Sequence, residues 1–531
     1  MSDPRSSRLH VVILAAGRGT RMNSARPKVL HPVLGTPMIV RVLKTAIELN
    51  PQKITVVVGF GSEQVREGVN TWWENEVSVR LAQDSANAQR GVGSMAPLPT
   101  LDFALQNPPA GTGHAVAVAL DECLSTDSQT AVGQLSITTS QGITPDKRLA
   151  AAPDGALRHD SPRVLVMYGD VPALTKDDLE PLLEMHAKSV NHPCAILGMI
   201  KPDPTGYGRL MTNAAGGVTA IVEERDASPE QKQVNFVNTG ILVAHRHDLR
   251  SALATIMATP PENAAKEWYL TDVVRLFAGD SGVPVATLAK SWHAEGVNDQ
   301  AQRSNLERRM MDEHIDQWQR DGLALDAPSR VTVEGDLMFG RDCRLGPDVV
   351  IRGAVRLGSG VTIGQGVHLE NTTIGDDVTV LAYSILTSAV VGNHAQIGPH
   401  ARLRPGSRIG TGARIGNFVE IKNANIGDRS KVNHLSYVGD ATVGADCNLG
   451  AGTITCNYDG RAKYRTTIGD RAFIGSNTAL VAPVSVGSGS VIGAGSVITE
   501  NVPADALAVA RSRQVTKAQW TANRPPIKAE S

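Results

Sequence analysis

A glycine-rich turn near the start of the chain is the first segment whose residues could do chemistry. The apolar residues 11–14 predict a buried strand, which runs directly into AAGRGTRM at residues 15–22. Small residues after a strand let backbone N–H groups approach an anion closely, and Arg21 and Lys28 add positive charge. The turn therefore indicates a phosphate site, although similar turns follow strands in parallel α/β folds whatever those folds bind.

A carboxylate closes a second apolar run, where Asp170 ends residues 164–170. Open parallel sheets bind their ligands at the carboxyl ends of strands, and a carboxylate there is a natural ligand for Mg²⁺. An Asp that precedes Val171 and Pro172 is equally typical of a helix cap. The residues alone leave both interpretations open.

The second half of the chain offers one candidate base and several candidate phosphate ligands. His434 lies in a polar turn, and a histidine side chain can accept a proton near neutrality, as a general base must. Arg404, Lys422 and Lys463 could hold a phosphate through charge-assisted hydrogen bonds. A histidine in a polar turn is more often an ordinary surface residue, and cations at such positions also serve simply to solvate a surface.

A six-residue repeat must position these side chains, since an aliphatic residue, usually followed by glycine, recurs from Leu345 to Ile498. A period of six fits a triangular coil in which each hexad gives one short parallel strand and one corner. We expect the aliphatic residue to point inward and the glycine to accept the backbone angles of the corner. The core of such a coil has no cavity, so a ligand must bind on a face, in a loop or between neighbouring coils. The largest interruption, from Gly450 to Thr467, predicts a polar loop.

The first three hundred residues need a core of their own, because 531 residues exceed what one hydrophobic core supports. Apolar runs at residues 53–59, 164–170 and 195–199, separated by helix-length stretches, predict a parallel α/β sheet. Between the two parts, residues 299–323 have a helical spacing of apolar residues that predicts one linker helix. These apolar residues are Leu306, Met310, Ile315 and Trp318.

Charge and composition exclude several classes of protein. Lys plus Arg number 52 and Asp plus Glu 53, so the chain has no global basic charge that would draw it to nucleic acid or an anionic membrane. The apolar run near the N-terminus is too short to span a bilayer, and no small-residue cleavage site follows it. The five cysteines form no C-x-x-C pair, which indicates neither a disulfide framework nor a zinc site. We expect a cytoplasmic protein without membrane insertion.

Taken in order, the motifs of the chain resemble one family, the bifunctional bacterial enzymes that make UDP-N-acetylglucosamine. The motifs similar to its pyrophosphorylase domain are LAAGRGTRM (14–22), GTGHA (111–115), YGDVP (168–172), DPTGYGR (203–209), IVEE (221–224), VNTGI (237–241) and EGVN (295–298). Those similar to its acetyltransferase domain are RLRPG (402–406), GNFVEIKNA (416–424), NHLSYVGDA (433–441) and GAGTITCNYDG (450–460).

The resemblance implies a fold, two reactions and an assembly. The fold is a Rossmann-like α/β nucleotidyltransferase domain, a linker helix and a left-handed parallel β-helix of hexapeptide repeats. Acetyl passes from acetyl-CoA to glucosamine 1-phosphate, and uridylyl then passes from UTP to N-acetylglucosamine 1-phosphate with release of pyrophosphate. The product supplies peptidoglycan and other cell-envelope precursors. Mg²⁺ is the implied cofactor, and a homotrimer would build the acetyltransferase pocket from more than one chain.

Residue roles in the first domain follow from the same resemblance. Asp170 and Asn298 would hold Mg²⁺, and Arg21 with Lys28 would support phosphoryl transfer. The sugar-phosphate nucleophile is already ionised at neutral pH, so attack on UTP needs alignment and charge neutralisation rather than a base. Around the UDP-sugar the resemblance places Leu14, Ala15, Ala16, Gly17, Lys28, Gln106, Gly111, Thr112, Tyr168, Gly169, Asp170, Gly208, Glu223, Asn238 and Asn298.

In the second domain the resemblance makes His434 the general base on the 2-amino group of glucosamine 1-phosphate. Arg404 and Lys422 would clamp the sugar phosphate. The other implied substrate ligands are Glu420, Tyr437, Asn448, Asn457, Tyr458 and Lys463. The implied ligands of acetyl-CoA are Ala451, Ser476, Ala494 and Arg511.

The expected domains are residues 1–298, a linker helix at 299–324 and the β-helix with its tail at 325–531. Polar segments near 84–105 and 124–162 are absent from shorter family members, so they are expected to be insertions that form surface loops or stay disordered. The first segment leaves two candidates for the uracil side of the site. Gln106 keeps the register with Gly111 and is preferred, while Gln83 also follows a strand-like run.

Two other functions remain possible from the sequence. The β-helix could be a trimerisation and regulatory module attached to an active nucleotidyltransferase, but a scaffold needs only the aliphatic-glycine pattern. Retention of His434, Arg404, Lys422, Tyr437, Asn457 and Lys463 argues against that reading. A binding protein without catalysis conflicts with the joint presence of the glycine-rich turn, Asp170 and Asn298.

Overall fold

The computed structural model describes residues 9–89, 97–122, 162–189 and 192–524, with only the backbone given for residues 82–89 and 122. The chain divides into two compact units, residues 1–310 and residues 311–531, and the division falls inside one helix. The boundaries expected at residues 298 and 324 stay predictions. Across the described ranges, every helix is too short or too polar to span a bilayer.

The first unit is built on one mixed sheet with the strand order β11-β7-β10-β6-β1-β4-β5. The three strands predicted from the sequence are present as β4, β6 and β7. The strands and the small hairpin β2-β3 are β1 (Leu9–Leu14), β2 (Pro32–Val33), β3 (Thr36–Pro37), β4 (Lys53–Val58), β5 (Thr100–Leu105), β6 (Arg163–Tyr168), β7 (Cys194–Ile200), β8 (Arg209–Thr212), β9 (Val218–Val222), β10 (Phe236–His245) and β11 (Val285–Thr287).

The sheet is mixed, although the three strands predicted from the sequence, β4, β6 and β7, all run in the same direction as expected. Strand β10 lies between β6 and β7 and runs antiparallel to both, while β8 and β9 add an antiparallel edge. The period-2 and apolar-run signals that identify a strand carry no information about its direction. The strands that surround the glycine-rich turn, β6, β1, β4 and β5, are parallel as expected.

Helices cover both faces of this sheet because alternate residues of each strand point to opposite sides. Val11 and Ile13 belong to a core shared with α1, α2 and α4, whereas Val12 and Leu14 belong to a core shared with α3, α5 and α6. The helices are α1 (Met38–Glu48), α2 (Ser62–Gln89), α3 (Thr112–Glu122), α4 (Lys176–Lys188), α5 (Arg246–Met257) and α6 (Asp272–Phe277). Single 3₁₀ turns occur at Thr20–Met22, Lys28–Leu30, Gln231–Gln233 and Ser291–Ala294.

The prediction that residues 84–105 form a loop was wrong at both of its ends. Helix α2 continues to Gln89, and β5 occupies Thr100–Leu105, where it pairs in parallel with β4. The sequence TLDFAL of β5 was misread because its side chains are only partly buried at the sheet edge. The second insertion, near residues 124–162, lies almost wholly outside the described residues.

Helix α7 (Gln300–Arg320) occupies the segment where the sequence predicted a linker helix. Leu306, Met310 and Ile315 of the predicted stripe are buried, and Trp318 packs against the core of the second unit. The described cysteines, Cys194, Cys343, Cys447 and Cys456, are free thiols.

The second unit is a parallel coil of short strands. Arg344 pairs with Thr362 and Thr362 with Thr379, so one coil takes 18 or 17 residues, which is three hexads. After a 3₁₀ turn at Pro328–Arg330, parallel pairing continues to the last coil. The strands are β12 (Ala324–Leu325), β13 (Thr332–Met338), β14 (Arg344–Leu345), β15 (Val350–Leu357), β16 (Thr362–Ile363), β17 (His368–Glu370), β18 (Thr373–Ile374), β19 (Thr379–Val380), β20 (Ile385–Thr387), β21 (Val390–Val391), β22 (Gln396–Ile397), β23 (Arg402–Leu403), β24 (Arg408–Ile409), β25 (Arg414–Asn417), β26 (Glu420–Lys422), β27 (Asn425–Ile426), β28 (Lys431–His434), β29 (Tyr437–Gly439), β30 (Ala441–Val443), β31 (Asn448–Leu449), β32 (Ile454–Cys456), β33 (Thr466–Ile468), β34 (Phe473–Ile474), β35 (Ala479–Val481), β36 (Val484–Val486), β37 (Val491–Ile492), β38 (Val497–Ile498) and β39 (Leu507–Ala508).

The aliphatic residues of the repeat are buried in one continuous core, as the sequence predicted. The core also runs through Val380 and Leu386, where the glycine pattern lapses, and Thr455 takes the inward position at β32. The polar loop is therefore shorter than predicted. The regular coil continues through Ile454–Cys456, and the loop leaves it only at Asn457. Across this loop Asn448 pairs with Phe473, so that coil takes 25 residues.

The expected reason for the repeated glycines was wrong at most positions. Gly398 has a positive φ, but Gly427 and the other glycines that follow inward aliphatic residues do not. A Cβ on Gly427 would lie 2.4 Å from the carbonyl of Gly444 in the next coil. These glycines are required because stacked coils approach too closely there for any side chain. The left-handed corners are instead occupied by residues such as Asp377 and His394.

Neighbouring valines test the inward-outward assignment. Val391 is buried in the coil core and Val390 is 41% exposed. Val391→Ala should lower the free energy of unfolding of residues 311–531 by about 2 kcal/mol, because two methyl groups leave a core that cannot collapse. Val390→Ala should cost less than about 0.5 kcal/mol. Calorimetric unfolding of both variants checks this, and equal costs would contradict the assignment.

Candidate functional sites

A cavity of about 640 Å³ opens at the carboxyl edge of the first sheet. Its walls come from the turns after β1, β4, β5 and β6, which the parallel pairing brings to one edge. Hydrogen bonds hold these turns together: the N–H of Ala15 donates to Val57, that of Gln106 to Val58 and that of Gly169 to Leu14. The predicted residues among its lining are Leu14, Ala15, Ala16, Gly17, Lys28, Gln106, Gly111, Thr112, Tyr168 and Asp170.

Lys28 joins the two residues expected to bind metal. Its ammonium group forms an ion pair with Asp170 and donates a hydrogen bond of 2.7 Å to Oδ1 of Asn298. A carboxylate oxygen and an amide oxygen thus face one cation position, although they are separated by 128 positions in the sequence. These are the hard oxygen ligands that suit Mg²⁺ when substrate phosphates supply the remainder.

Gly208, Glu223 and Asn238 form a second group of predicted residues, and Glu223 lies near Tyr168 of the cavity lining. The carbonyl of Gly208 accepts a 2.8 Å hydrogen bond from the N–H of Asn238, and Gly208 lies against the carboxylate of Glu223. Burial raises the pKa of Glu223, in spite of a 3.1 Å hydrogen bond from the Thr271 hydroxyl. Burial and the charges of Glu223 and Asp170 likewise raise the pKa of Tyr168, so its hydroxyl stays protonated.

Gln106 belongs to the lining of the cavity. Gln83 belongs to helix α2, whereas Gln106 is buried and donates a 2.9 Å hydrogen bond to the carbonyl of Gly111. Gly111 has a φ of 103°, and a Cβ there would lie 2.5 Å from the carbonyl oxygen of Trp268. This glycine therefore sets the shape of that wall.

Arg21 lies exposed on the 3₁₀ turn and is not part of the cavity lining, whereas Arg18 is. Arg18 lies over the ring of Phe60, another lining residue that the sequence did not reveal. Glu267 was also missed, since it reaches the cavity from a loop far along the chain. Only the position of Arg18 inside the glycine-rich turn could have signalled its role.

The predicted phosphate ligands of the second unit form one cationic cluster. Arg404 donates a 2.8 Å hydrogen bond to Glu420. Lys463, at the end of the polar loop, contacts Lys422. Close contact with Lys463 and the repulsion between the two ammonium groups lower the pKa of Lys422, and Arg404 adds to this effect. Cations placed this close together are typical of an anion site.

His434 has a partner that the sequence analysis missed. Nδ1 of His434 lies 2.8 Å from Oδ1 of Asn417, which is its register partner one coil earlier. An amide oxygen can only accept, so Nδ1 carries the proton and Nε2 keeps a lone pair. The signal was present as an offset of 17 residues, but it has meaning only once the coil length is known.

The residues expected to bind acetyl-CoA line up along one side of the last coils. Ala451, Ser476 and Ala494 each stand two positions after register-paired residues of β31, β34 and β37. Arg511 continues the row by donating a 2.7 Å hydrogen bond to the carbonyl of Ala494. Asn448, expected to bind the substrate, lies on β31 three positions before Ala451 and is the register partner of Phe473.

Two of the remaining predicted residues are aromatic. The Tyr437 hydroxyl lies over Gly439, where any Cβ would clash with it. Tyr458 is 60% exposed at the tip of the polar loop and donates to the carbonyl of Gly460.

Models of known families match both units. Residues 11–203 match a MobA-like NTP transferase domain, residues 330–407 match the GMPPB C-terminal domain, and residues 465–500 match a hexapeptide repeat of succinyl-transferase. Fold and sites together define a bifunctional transferase, with a nucleotidyltransferase unit and a hexapeptide-repeat acyltransferase unit on one chain.

Relatives along the whole chain give the family. The chain is 41% identical to "Bifunctional protein GlmU" of Alkalilimnicola ehrlichii, with 96% of each chain covered. It is 42% identical to the protein of the same name from Marinobacter nauticus, with 97% of this chain and 98% of that one covered. The chain belongs to the GlmU family, and its two units carry the acetyl transfer and the uridylyl transfer of UDP-N-acetylglucosamine synthesis.

The contact between Asn417 and His434 predicts a defect in acetyl transfer. With His434 as the general base expected from the sequence, Asn417→Ala should lower kcat for acetyl transfer by more than about tenfold, yet by less than the full 10²–10⁴-fold contribution of a general base, because His434 stays but loses its orientation. Steady-state assays of both reactions check this. Asn425→Ala, at an exposed position on β27, two faces further along the coil, is the control and should leave both rates unchanged. Wild-type acetyl transfer in Asn417→Ala would contradict a role for this contact.

Proposed function

We propose that the cavity at the sheet edge binds UTP and N-acetylglucosamine 1-phosphate and is where uridylyl transfer takes place. The observation that carries this proposal is the meeting of the glycine-rich turn, Lys28 and Asp170 at one edge. Turn amides and Arg18 face the phosphates, while Gln106 offers its amide to the base. Tyr168, Glu223 and Asn238 hold the sugar.

Mg²⁺ is the proposed cofactor, held by Asp170 and Asn298. The donor set fits, because both oxygens face one cation position that the Lys28 ammonium now contacts. When bound, the metal neutralises phosphate charge as the α-phosphorus is attacked. Lys28 then exchanges its carboxylate partner for a substrate phosphate, so one side chain serves both states. No proton needs removal from the sugar phosphate, which reacts as the dianion.

For the second unit we propose that His434 is the general base on the 2-amino group of glucosamine 1-phosphate. Its Nε2 lone pair supports this role, since Nδ1 is tied to Asn417. The cluster of Arg404, Lys422 and Lys463 binds the phosphate, and Tyr437, Asn448, Asn457 and Tyr458 contact the sugar. The row of Ala451, Ser476, Ala494 and Arg511 binds acetyl-CoA.

Separate sites predict separable activities. Asp170→Ala should abolish uridylyl transfer and leave acetyl transfer nearly unchanged, because the two sites share no residue. His434→Ala should do the reverse. Incubation with glucosamine 1-phosphate, acetyl-CoA, UTP and Mg²⁺, with each product identified by mass, measures both reactions at once. Loss of both activities in either folded variant would contradict the two-site proposal.

We propose further that the chain acts as a homotrimer whose β-helices pack side by side in parallel. Phe473, Val491 and Leu507 support this, because they are register partners on successive coils and each is at least 41% exposed. A continuous apolar row on a coil face is unusual for a surface in water and suits a second copy of the chain. Val390 is equally exposed, but its partners Thr373 and Arg408 are polar.

Substitutions of Val491 and Val390 test the proposed trimer. Light scattering should give three times the chain mass of 56.2 kDa for the wild type. Val491→Glu should dissociate the trimer and reduce acetyl transfer, because a charge would be buried in an apolar interface. Val390→Glu should keep both. A wild-type chain that is monomeric and active in acetyl transfer at the assay concentration would refute the proposal.

A further inference from the structure

A buried carboxylate lies beneath the cationic cluster of the second unit. Asp440 occupies a left-handed corner, with a φ of 47°, and is only 9% exposed. The Asn423 side chain in the preceding coil donates a 2.5 Å hydrogen bond to Oδ1 of Asp440. The Asn457 side chain in the following coil donates to Oδ2. The Asp440 carboxylate therefore accepts hydrogen bonds from two side-chain amides, one in the coil before it and one in the coil after it.

This arrangement fixes which way the Asn457 amide faces. A carboxylate has no proton to give, so the NH₂ group of each asparagine must face Asp440. The Asn457 carbonyl oxygen is left as the end of that amide that can meet a substrate, and it can only accept. A donor such as a hydroxyl or the 2-amino group of the sugar is what this oxygen can recognise.

Asp440 also anchors the polar loop and balances its charge. Its carbonyl accepts a 3.2 Å hydrogen bond from the N–H of Thr466, where the loop rejoins the coil. Burial alone would raise the pKa of Asp440, but the bonds from Asn423 and Asn457 and the nearby lysines outweigh it and leave the pKa below its ordinary value. The carboxylate is therefore ionised and raises the pKa of Lys422, against the opposing charges of Lys463 and Arg404.

We propose that Asp440 is a positioning residue for acetyl transfer: it orients the Asn457 amide toward the sugar and holds Lys422 and Lys463 together as a phosphate site. This inference rests on the proposed function of the cluster. Asp440 itself touches no substrate and acts through Asn457, Lys422 and Lys463, which do. The Asp440 side chain is suited to this role because its negative charge acts both on the Asn457 amide and on the two lysines.

The test is Asp440→Asn, which keeps the shape and removes the charge. The KM for glucosamine 1-phosphate should rise by at least about tenfold, because charge-assisted hydrogen bonds and the counter-charge are lost together. The KM for acetyl-CoA and uridylyl transfer should stay unchanged. The rise should grow as the pH is raised above neutrality, since without Asp440 the Lys422 ammonium, facing Lys463, Arg404 and the Arg404-bound Glu420, loses its proton at lower pH.

Three further variants make the outcome decisive. Asp446→Asn removes a carboxylate from another corner of the same coils, where Asp446 pairs with Arg429, and should change none of these constants. Asn423→Ala removes one partner of Asp440 and should raise the same KM about threefold even if Asp440→Asn fails to fold. Lys463→Met tests the phosphate site itself. If it raises the KM and neither Asp440→Asn nor Asn423→Ala does, the inference is wrong; if Lys463→Met has no effect, the proposed phosphate site is wrong and the inference is overturned with it.

Discussion

Parallel strand pairing is the constraint on which both units depend. Parallel neighbours cannot be joined by a tight turn, so the chain must cross over before it pairs again, and like ends of strands meet at one edge. In the first unit helices make the crossovers, and the turns at Gly17, Gln106 and Asp170 meet at the edge they share. In the second unit two further sides of the triangle make the crossover. Residues 17 or 18 positions apart then stack, as Asn417 does on His434.

Both candidate sites have the same electrostatic arrangement, in which lysine ammonium groups lie near a partly buried carboxylate. Lys28 rests on Asp170 and Asn298, and the pair Lys422 and Lys463 lies close to Asp440. A buried charge without a partner is costly, so each carboxylate favours a lysine beside it, and the proposed phosphate sites would use these lysines. The cost of desolvating a phosphate is then offset by cations that need little reordering. This suits substrates whose common chemical feature is a phosphate group.

Much of the fold could be predicted from the sequence, because aliphatic periodicity reports burial directly. The inward residues of the repeat and strands β4, β6 and β7 were found this way. The direction of β10 was not, since alternation is the same in parallel and antiparallel strands. The reason for glycines such as Gly427 was missed as well, because it concerns the backbone of the next coil and not the local backbone angles.

Candidate site residues could be nominated from the sequence where the residue type suggests the chemistry, and not where the proposed role arises from a contact. Asp170 and His434 could be nominated as a metal ligand and a base from their type and setting. Arg18 and Asn417 could not, because their roles depend on which turn reaches the cavity and on the length of one coil. Gln106 was preferred to Gln83 on register alone. The strand-like run before Gln83 is part of helix α2 in the structure.

The candidate site residues proposed for the second unit cluster where the repeat is interrupted, and this has a physical reason. A regular hexad presents only short strands and closed corners, whose backbone groups are used up by the neighbouring coils. The polar loop leaves at Asn457 and closes on itself, with the N–H of Tyr464 bonded to the Asn457 carbonyl, before Thr466 rejoins the stack at Asp440. Seven extra residues or so are thus added to one coil while its neighbours keep their register. Side chains such as Lys463 can therefore be arranged over a corner without disturbing the aliphatic core, and the corner that receives the loop must supply the balancing charge.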